Sequence, residues 1–195
     1  AGTRATRIPS QIRAVLSFNC LSLRKNYPPV KKLWMIPLLF AGLWACSPSE
    51  EELLKNGMLK MDSQAWSEAV QVFDLLLEKN PANAAALNAK GVALFQLGKI
   101  EEAIPVFGQA ITADSTSYKP WFNRGNAKME LEKYKEALAD FNIASALDAS
   151  QTDIYFNRGT ALLNMEKYED ALLDFQAVLE SNPNQADAHF RKAKA

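Results

Sequence analysis

Between residues 50 and about 185, apolar and small side chains return every three or four positions, in blocks of about a dozen residues set apart by polar breakers. Trp121, Gly125 and Lys128 share one face of such a block, as do Tyr155, Gly159 and Leu162. In the blocks that follow the same spacing gives Tyr134, Ala137, Phe141 and Ala144. The pattern predicts pairs of helices. Breakers fall at Asn80-Pro81, Asp114 to Ser117, Ala149-Ser150 and Asn182-Pro183. A residue before proline avoids the α region, so helices are expected to stop near Asn80 and Asn182.

The blocks are copies of one unit. Gly57, Gly91, Gly125 and Gly159 recur at an interval of 34, as do Ala69, Ala103, Ala137 and Ala171, and Phe73, Phe107, Phe141 and Phe175. A glycine inside a helix costs about 1 kcal/mol relative to alanine. Its regular return therefore implies a neighbouring helix so close that a Cβ would clash. The alanine lets the partner helix approach, and the phenylalanine fills the space between hairpins. Pro105 and Gly108 break the pattern of the second copy, whose second helix is expected to be kinked or to be the weakest element.

The period and the aromatic, Gly, Ala and Phe positions resemble the tetratricopeptide repeat. That resemblance implies an all-α, right-handed solenoid of four helical hairpins, with repeats 50–83, 84–117, 118–151 and 152–185 and a partial fifth repeat over 186–195. Residues 186–195 match the start of an internal repeat rather than a polar cap, and we expect a chain that continues beyond them. In such scaffolds the first helix of each repeat lines the concave wall, where partners bind. The family's wall positions are Glu51, Leu54, Lys55, Met58 and Met61 in the first copy, and Ala85, Asn88, Ala89, Val92 and Phe95 in the second. They are Lys119, Phe122, Asn123, Asn126 and Met129 in the third, and Asp153, Phe156, Asn157, Thr160 and Leu163 in the fourth.

The candidate peptide-binding residues follow from those positions: Lys119, Phe122, Asn123, Asn126, Phe156, Asn157 and Phe190. Phe122, Phe156 and Phe190 recur at an interval of 34 and form one strip. An asparagine amide offers both donor and acceptor, so Asn123 and Asn157 can pair with an extended backbone of any sequence. This resembles the asparagine ladder of the O-linked GlcNAc transferase superhelix, with two rungs present and Ala89 and Arg191 at the flanking ones. The alternative is that these asparagines join one repeat to the next, and that the phenylalanines pack between repeats. The two-carboxylate clamp of chaperone-binding relatives is incomplete: Lys119 and Asn123 match fragments of it, but Asn88 and Val92 stand where its first Lys and Asn belong.

Net charge is zero overall but segregated. The first 45 residues carry seven basic side chains and no Asp or Glu, while the rest has 15 basic and 22 acidic ones. The repeat region is thus acidic and presents no basic stripe to a phosphate backbone, so no nucleic-acid partner is expected. Lys31 and Lys32 precede thirteen uncharged residues, 33–45, and the run closes on Leu43-Trp44-Ala45-Cys46. This is the order of a secretory signal over 30–45, too short to span a bilayer, which takes about 20 residues. Its end resembles the lipobox of bacterial lipoproteins, although Trp44 is bulkier than the usual residue there. The resemblance implies lipidation of Cys46, membrane attachment through it, and an outer-membrane destination in the cell envelope, facing the periplasm or the cell surface. Residues 46–49 would be the tether. Residues 1–29 lack periodicity and are expected to be a non-native or disordered extension, with the precursor starting at Val30.

No Gly-rich phosphate loop, Ser-His-Asp grouping or metal-ligand spacing appears, and His189 is the only histidine. Neither an enzyme nor a cofactor is expected. The function expected is an exported, lipid-anchored scaffold that binds a protein or an extended peptide on its concave face. The alternative is a structural subunit of an outer-membrane assembly or secretion complex, packing through its C-terminal end at Val178, Leu179 and Phe190.

Overall fold

A computed structural model of the chain describes residues 48–195. The extension 1–29, the signal 30–45 and Cys46 lie outside the described residues. Among the described residues all regular structure is helical. The first hairpin is α1 (Glu50–Asp62) and α2 (Trp66–Lys79), and the second is α3 (Ala84–Gln96) and α4 (Ile100–Ala113). The third is α5 (Tyr118–Glu130) and α6 (Tyr134–Leu147), and the fourth is α7 (Thr152–Asn164) and α8 (Tyr168–Ser181). A further helix, α9 (Ala186–Lys194), packs on α8. Each helix contacts the next along the chain, and α3, α5 and α7 also touch in succession, which makes a solenoid.

Local chemistry sets the helix ends. Ser49 caps α1 by accepting from the N–H of Glu52 at 3.1 Å, and Glu50, Glu51 and Glu52 face the positive end of the helix dipole. Asn83 caps α3 by accepting from the Ala86 N–H at 3.0 Å. Asn80 and Asn182 are the C-caps of α2 and α8, where the following prolines forbid further helix. At two of the turns between repeats, Asp114 and Asp148 accept from the hydroxyl and N–H of Thr116 and Ser150. Those hydrogen bonds, the hydroxyl's first, hold both carboxyls below the usual carboxylate range.

Within each hairpin the chain reverses through one left-handed residue: Gln64, Gly98, Glu132 and Glu166, at φ 58°, 75°, 58° and 60°. The next N–H reaches back across the turn, as from Lys99 to Leu94 and from Lys133 to Lys128, which satisfies carbonyls at the helix end.

The core is a ladder of identical rungs. Phe73, Phe107, Phe141 and Phe175 are at most 1% exposed, and Ala69, Ala103, Ala137 and Ala171 are fully buried. Each ring lies on the glycine of the preceding helix. A Cβ built on Gly125 would sit 2.5 Å from Phe141 Cε1, and one on Gly91 2.5 Å from Phe107 Cε1. The clash predicted from the recurring glycine is present. Pro105, where a kink or weak point is expected, does not end its helix: α4 is continuous through it, with the same 14 residues as α2, α6 and α8. Pro105 and Glu101 are both exposed, so the carbonyl that loses its donor faces water.

These contacts separate two glycines of similar helical setting. Gly125→Ala should destabilise the fold by about 1–3 kcal/mol, because the phenylalanine beneath it has nowhere to move. Gly108, whose added Cβ would meet nothing nearer than Arg124 Nη1 at 3.6 Å, should gain about 0.5–1 kcal/mol as Gly108→Ala. Urea denaturation followed by circular dichroism tests the opposite signs.

Candidate binding face

The face expected to bind is formed by α3, α5, α7 and α9. The structure brings its asparagines together in pairs. Asn123 Nδ2 donates to Asn88 Oδ1 at 3.0 Å, and Asn157 Nδ2 donates to Asn126 Oδ1 at 2.8 Å. Each pair joins one repeat to the next, as the structural alternative foresaw. Each amide still has unspent capacity, since Asn123 Oδ1 and Asn157 Oδ1 accept nothing and the N–H groups of Asn88 and Asn126 donate to nothing among the described residues. All four side chains are half-buried, within reach of a ligand.

The two pairs are not equivalent. Asn126 occupies in α5 the position that Val92 occupies in α3, 34 residues earlier. Valine offers no acceptor, and Asn123 reaches instead to Asn88, one turn back along α3. Beside it lies a cleft of about 130 Å³ lined by Val92, Phe95, Gln96, Phe107, Asn123 and Asn126. No ionisable group lines it.

The phenylalanine strip is divided between packing and exposure. Phe122 packs on Phe141 and Phe156 on Phe175, each with ring centroids 6.0 Å apart and tilted planes. Both are half-buried, and the guanidinium of Arg191 lies 5.2 Å over the Phe156 ring. Phe190 is 71% exposed and contacts neither ring pair. Lys119 is exposed near the start of α5. At the C-terminal end, Val178 is fully buried and Leu179 half-buried, which leaves Phe190 as the presented residue of that trio. His189 Nε2 lies 2.8 Å from the carbonyl oxygen of Pro183, and the ring sits at the surface.

A second polar ladder runs through the interior, and sequence reasoning did not single it out. Arg124 donates through Nε and Nη2 to both oxygens of Asp140 at 2.9 and 2.7 Å, and Lys128 adds a contact at 2.8 Å. One repeat on, Arg158 grips Asp174 at 2.8 and 2.6 Å. The Asp140 and Asp174 side chains are only 3% and 6% exposed. Arg158 also donates to Asn142 and Ser145 of the preceding hairpin, so one guanidinium ties two repeats. The hydrogen bonds to Asp174 raise its pKa, against the cost of burial. Arg124 and Arg158 lie over the rings of Trp121 and Tyr155 at 5.0 and 5.1 Å. The signal was available in the sequence: Trp121/Tyr155, Arg124/Arg158 and Asp140/Asp174 each recur at an interval of 34.

The larger cavity, about 410 Å³, lies elsewhere, between α6, α7 and α8, and is lined by Leu138, Asn142, Arg158, Leu173 and neighbours. Among the described residues no cluster of His, Cys, Asp or Glu is arranged to hold a metal, and no helix is long and apolar enough to cross a membrane.

Comparison with known proteins places this geometry. Family models described as "Tetratricopeptide repeat" match residues 54–118 and 152–185, and one described as "TPR repeat" matches residues 125–166. The first TPR domain of the human RPAP3 protein is 36% identical, covering 59% of this chain and 91% of that one, with a TM-score of 0.55. The first TPR of Spaghetti (RPAP3), solved bound to the HSP90 peptide SRMEEVD, is 36% identical over 57% of this chain and 88% of that one, with a TM-score of 0.56. YrrB, described as a TPR protein with an unusual peptide-binding site, is 25% identical over 74% of each chain, with a TM-score of 0.68. No curated protein sequence matches the chain.

The buried acids invite a direct test. Asp174→Ala leaves the Arg158 guanidinium without its counter-ion and should cost about 3–5 kcal/mol, whereas Asp174→Leu combined with Arg158→Met should recover most of that loss. Urea midpoints of the single and double variants check it.

Proposed function

The chain belongs to the tetratricopeptide repeat family, and from that premise we propose that it is an exported, lipid-anchored scaffold holding an extended segment of another protein along the face of α3, α5 and α7. The observation that carries this reading is the pairing of Asn88 with Asn123 and of Asn126 with Asn157. Pairing orients each amide and leaves it a donor or an acceptor for a ligand's main chain, at successive repeats. Side chains held in place by their neighbours lose little freedom when a ligand arrives. The relatives solved with a bound peptide or described by a peptide-binding site support the same use of the fold.

The ligand differs in charge from an acidic peptide such as SRMEEVD. Asn88 and Val92 stand on α3 where a carboxylate clamp needs a lysine and an asparagine, and no cation lines the cleft beside them. The unoccupied polar atoms here are amides, which suit an uncharged main chain. Export and anchoring rest on Lys31, Lys32 and the Leu43-Trp44-Ala45-Cys46 motif. A lipid on Cys46 with a tether through Ser49 would hold the solenoid at the face of a membrane in the cell envelope, and the resemblance to bacterial lipoproteins, with Ser47 after the cysteine, implies the outer membrane. The resemblance to the lipoprotein family implies a diacylglyceryl group on the sulfur, and its two chains would hold where one acyl chain gives only marginal attachment.

Crosslinked pull-down from native cells should recover a partner with the wild type and lose it with Asn123→Ala/Asn157→Ala, the two proteins being matched for helicity. Retention of the partner by the double variant would make the asparagines structural and move the search to Phe190. For the anchor, Cys46→Ser should shift the protein from the membrane to the soluble fraction and abolish labelling by radioactive palmitate. A wild type found soluble and unlabelled would remove the lipoprotein reading.

A further inference from the structure

We infer that the bound segment inserts an aromatic side chain into the cleft between α3 and α5 and carries no charge where it crosses that cleft; this deepens, and rests on, the reading of the concave face as a peptide groove. The cleft lies where the amide ladder changes its rung. At α5 and α7 the rung is Asn126 with Asn157. At α3 and α5 the residue matching Asn126 is Val92, so Asn123 turns to Asn88. Beside that altered rung lies the cleft of about 130 Å³.

Its size and walls select the occupant. An enclosed apolar cavity of about 150 Å³ admits a benzene ring, so this cleft suits one phenyl-sized group. Phe95 and Phe107 form its apolar part with Val92. The core phenylalanines of the next two repeats each have an edge or tilted partner: Phe122 on Phe141 and Phe156 on Phe175. Asn88 stands at the matching position in α3, and Phe107 has no ring partner among the described residues. A ligand ring in the cleft would give Phe107 the kind of contact that Phe141 and Phe175 already have. A charged side chain there would lose water without meeting a counter-ion, since none of the six lining residues ionises.

The rim supplies the main-chain grip. Asn126 has N–H groups free to donate to a ligand carbonyl, Asn123 Oδ1 is free to accept from a ligand N–H, and Gln96 is exposed at the mouth. Amides on the rim tolerate any backbone, and the ring specifies which residue sits between them.

The test is calorimetric titration of the full chain with the blocked heptapeptide acetyl-Ser-Ala-Ser-Phe-Ser-Ala-Ser-amide and with the same peptide carrying Ala or Lys at its centre. The Phe peptide should bind about tenfold or more tightly than either, the loss expected when a ring is no longer buried. Val92→Asn, which supplies the asparagine of the matching rung, should erase that preference. Gln96→Glu, which puts a negative charge at the mouth beside the electron-rich ring, should weaken the Phe peptide by a similar factor from an exposed position that leaves the core untouched, with circular dichroism confirming the fold of both variants. Failure of the Phe peptide to exceed the Ala peptide, whether both bind or neither does, overturns the aromatic site. So does a preference that survives both variants. The groove reading is judged separately, by whether the native partner is lost with Asn123→Ala/Asn157→Ala.

Discussion

A phenylalanine ring lying against a bare helix backbone is the contact from which the rest of this protein follows. Phe73, Phe107, Phe141 and Phe175 each occupy the space that a side chain at Gly57, Gly91, Gly125 or Gly159 would need. The glycine weakens its own helix, since a helix of this length is marginal alone. The ring offsets that loss only if the second helix folds back against the first. The contact thus couples each helix to its hairpin partner, and the buried alanine one turn before each phenylalanine brings the helices close enough to make it. Repeated at a constant interval, one contact yields a solenoid in which each hairpin needs its neighbours.

Such a ladder is the same at every rung and says little about which repeat should follow which. The ion pairs add that information. Arg124 with Asp140 and Arg158 with Asp174 tie first to second helix inside the last two complete hairpins, and Arg158 reaches back to Asn142 and Ser145. In the second repeat the basic position is Lys90, and it pairs with Asp74 of the preceding hairpin. A buried charge left unpaired is costly, so a hairpin stacked in the wrong order would strand one of these groups. The polar ladder favours one order of stacking, in addition to whatever stability it contributes.

The binding face uses departures from the same regularity. Asn126 meets Asn157 at one step of the wall, and at the step where Val92 replaces the asparagine a cleft lies beside Asn123. A perfectly repeated surface would offer identical subsites along its length and little means of setting a ligand's register. One altered rung, flanked by oriented amides, marks a position.

The fold was legible in the sequence because its cause is local and periodic. The interval of 34, the Gly–Phe pairing and the prolines after Asn80 and Asn182 each have a direct backbone consequence, and the helices begin and end accordingly. That α4 continues through Pro105 was not legible, because the effect of a proline depends on exposure around Glu101, which the pattern of residues does not record. The left-handed turn residues Gln64, Glu132 and Glu166 were equally hidden, since glycine marks only Gly98. For the binding face, the residue types determined that amides and rings would line one wall. Only the tertiary structure decided whom they meet: Asn123 with Asn88 rather than Val92, Phe122 with Phe141, Arg191 over Phe156. It also buried Asp140 and Asp174 as the partners of Arg124 and Arg158. The physical reason is reach. Periodicity places Cα atoms on a face, whereas a side-chain amide, guanidinium or carboxylate settles on the best partner within a few ångströms, and that partner belongs to another helix.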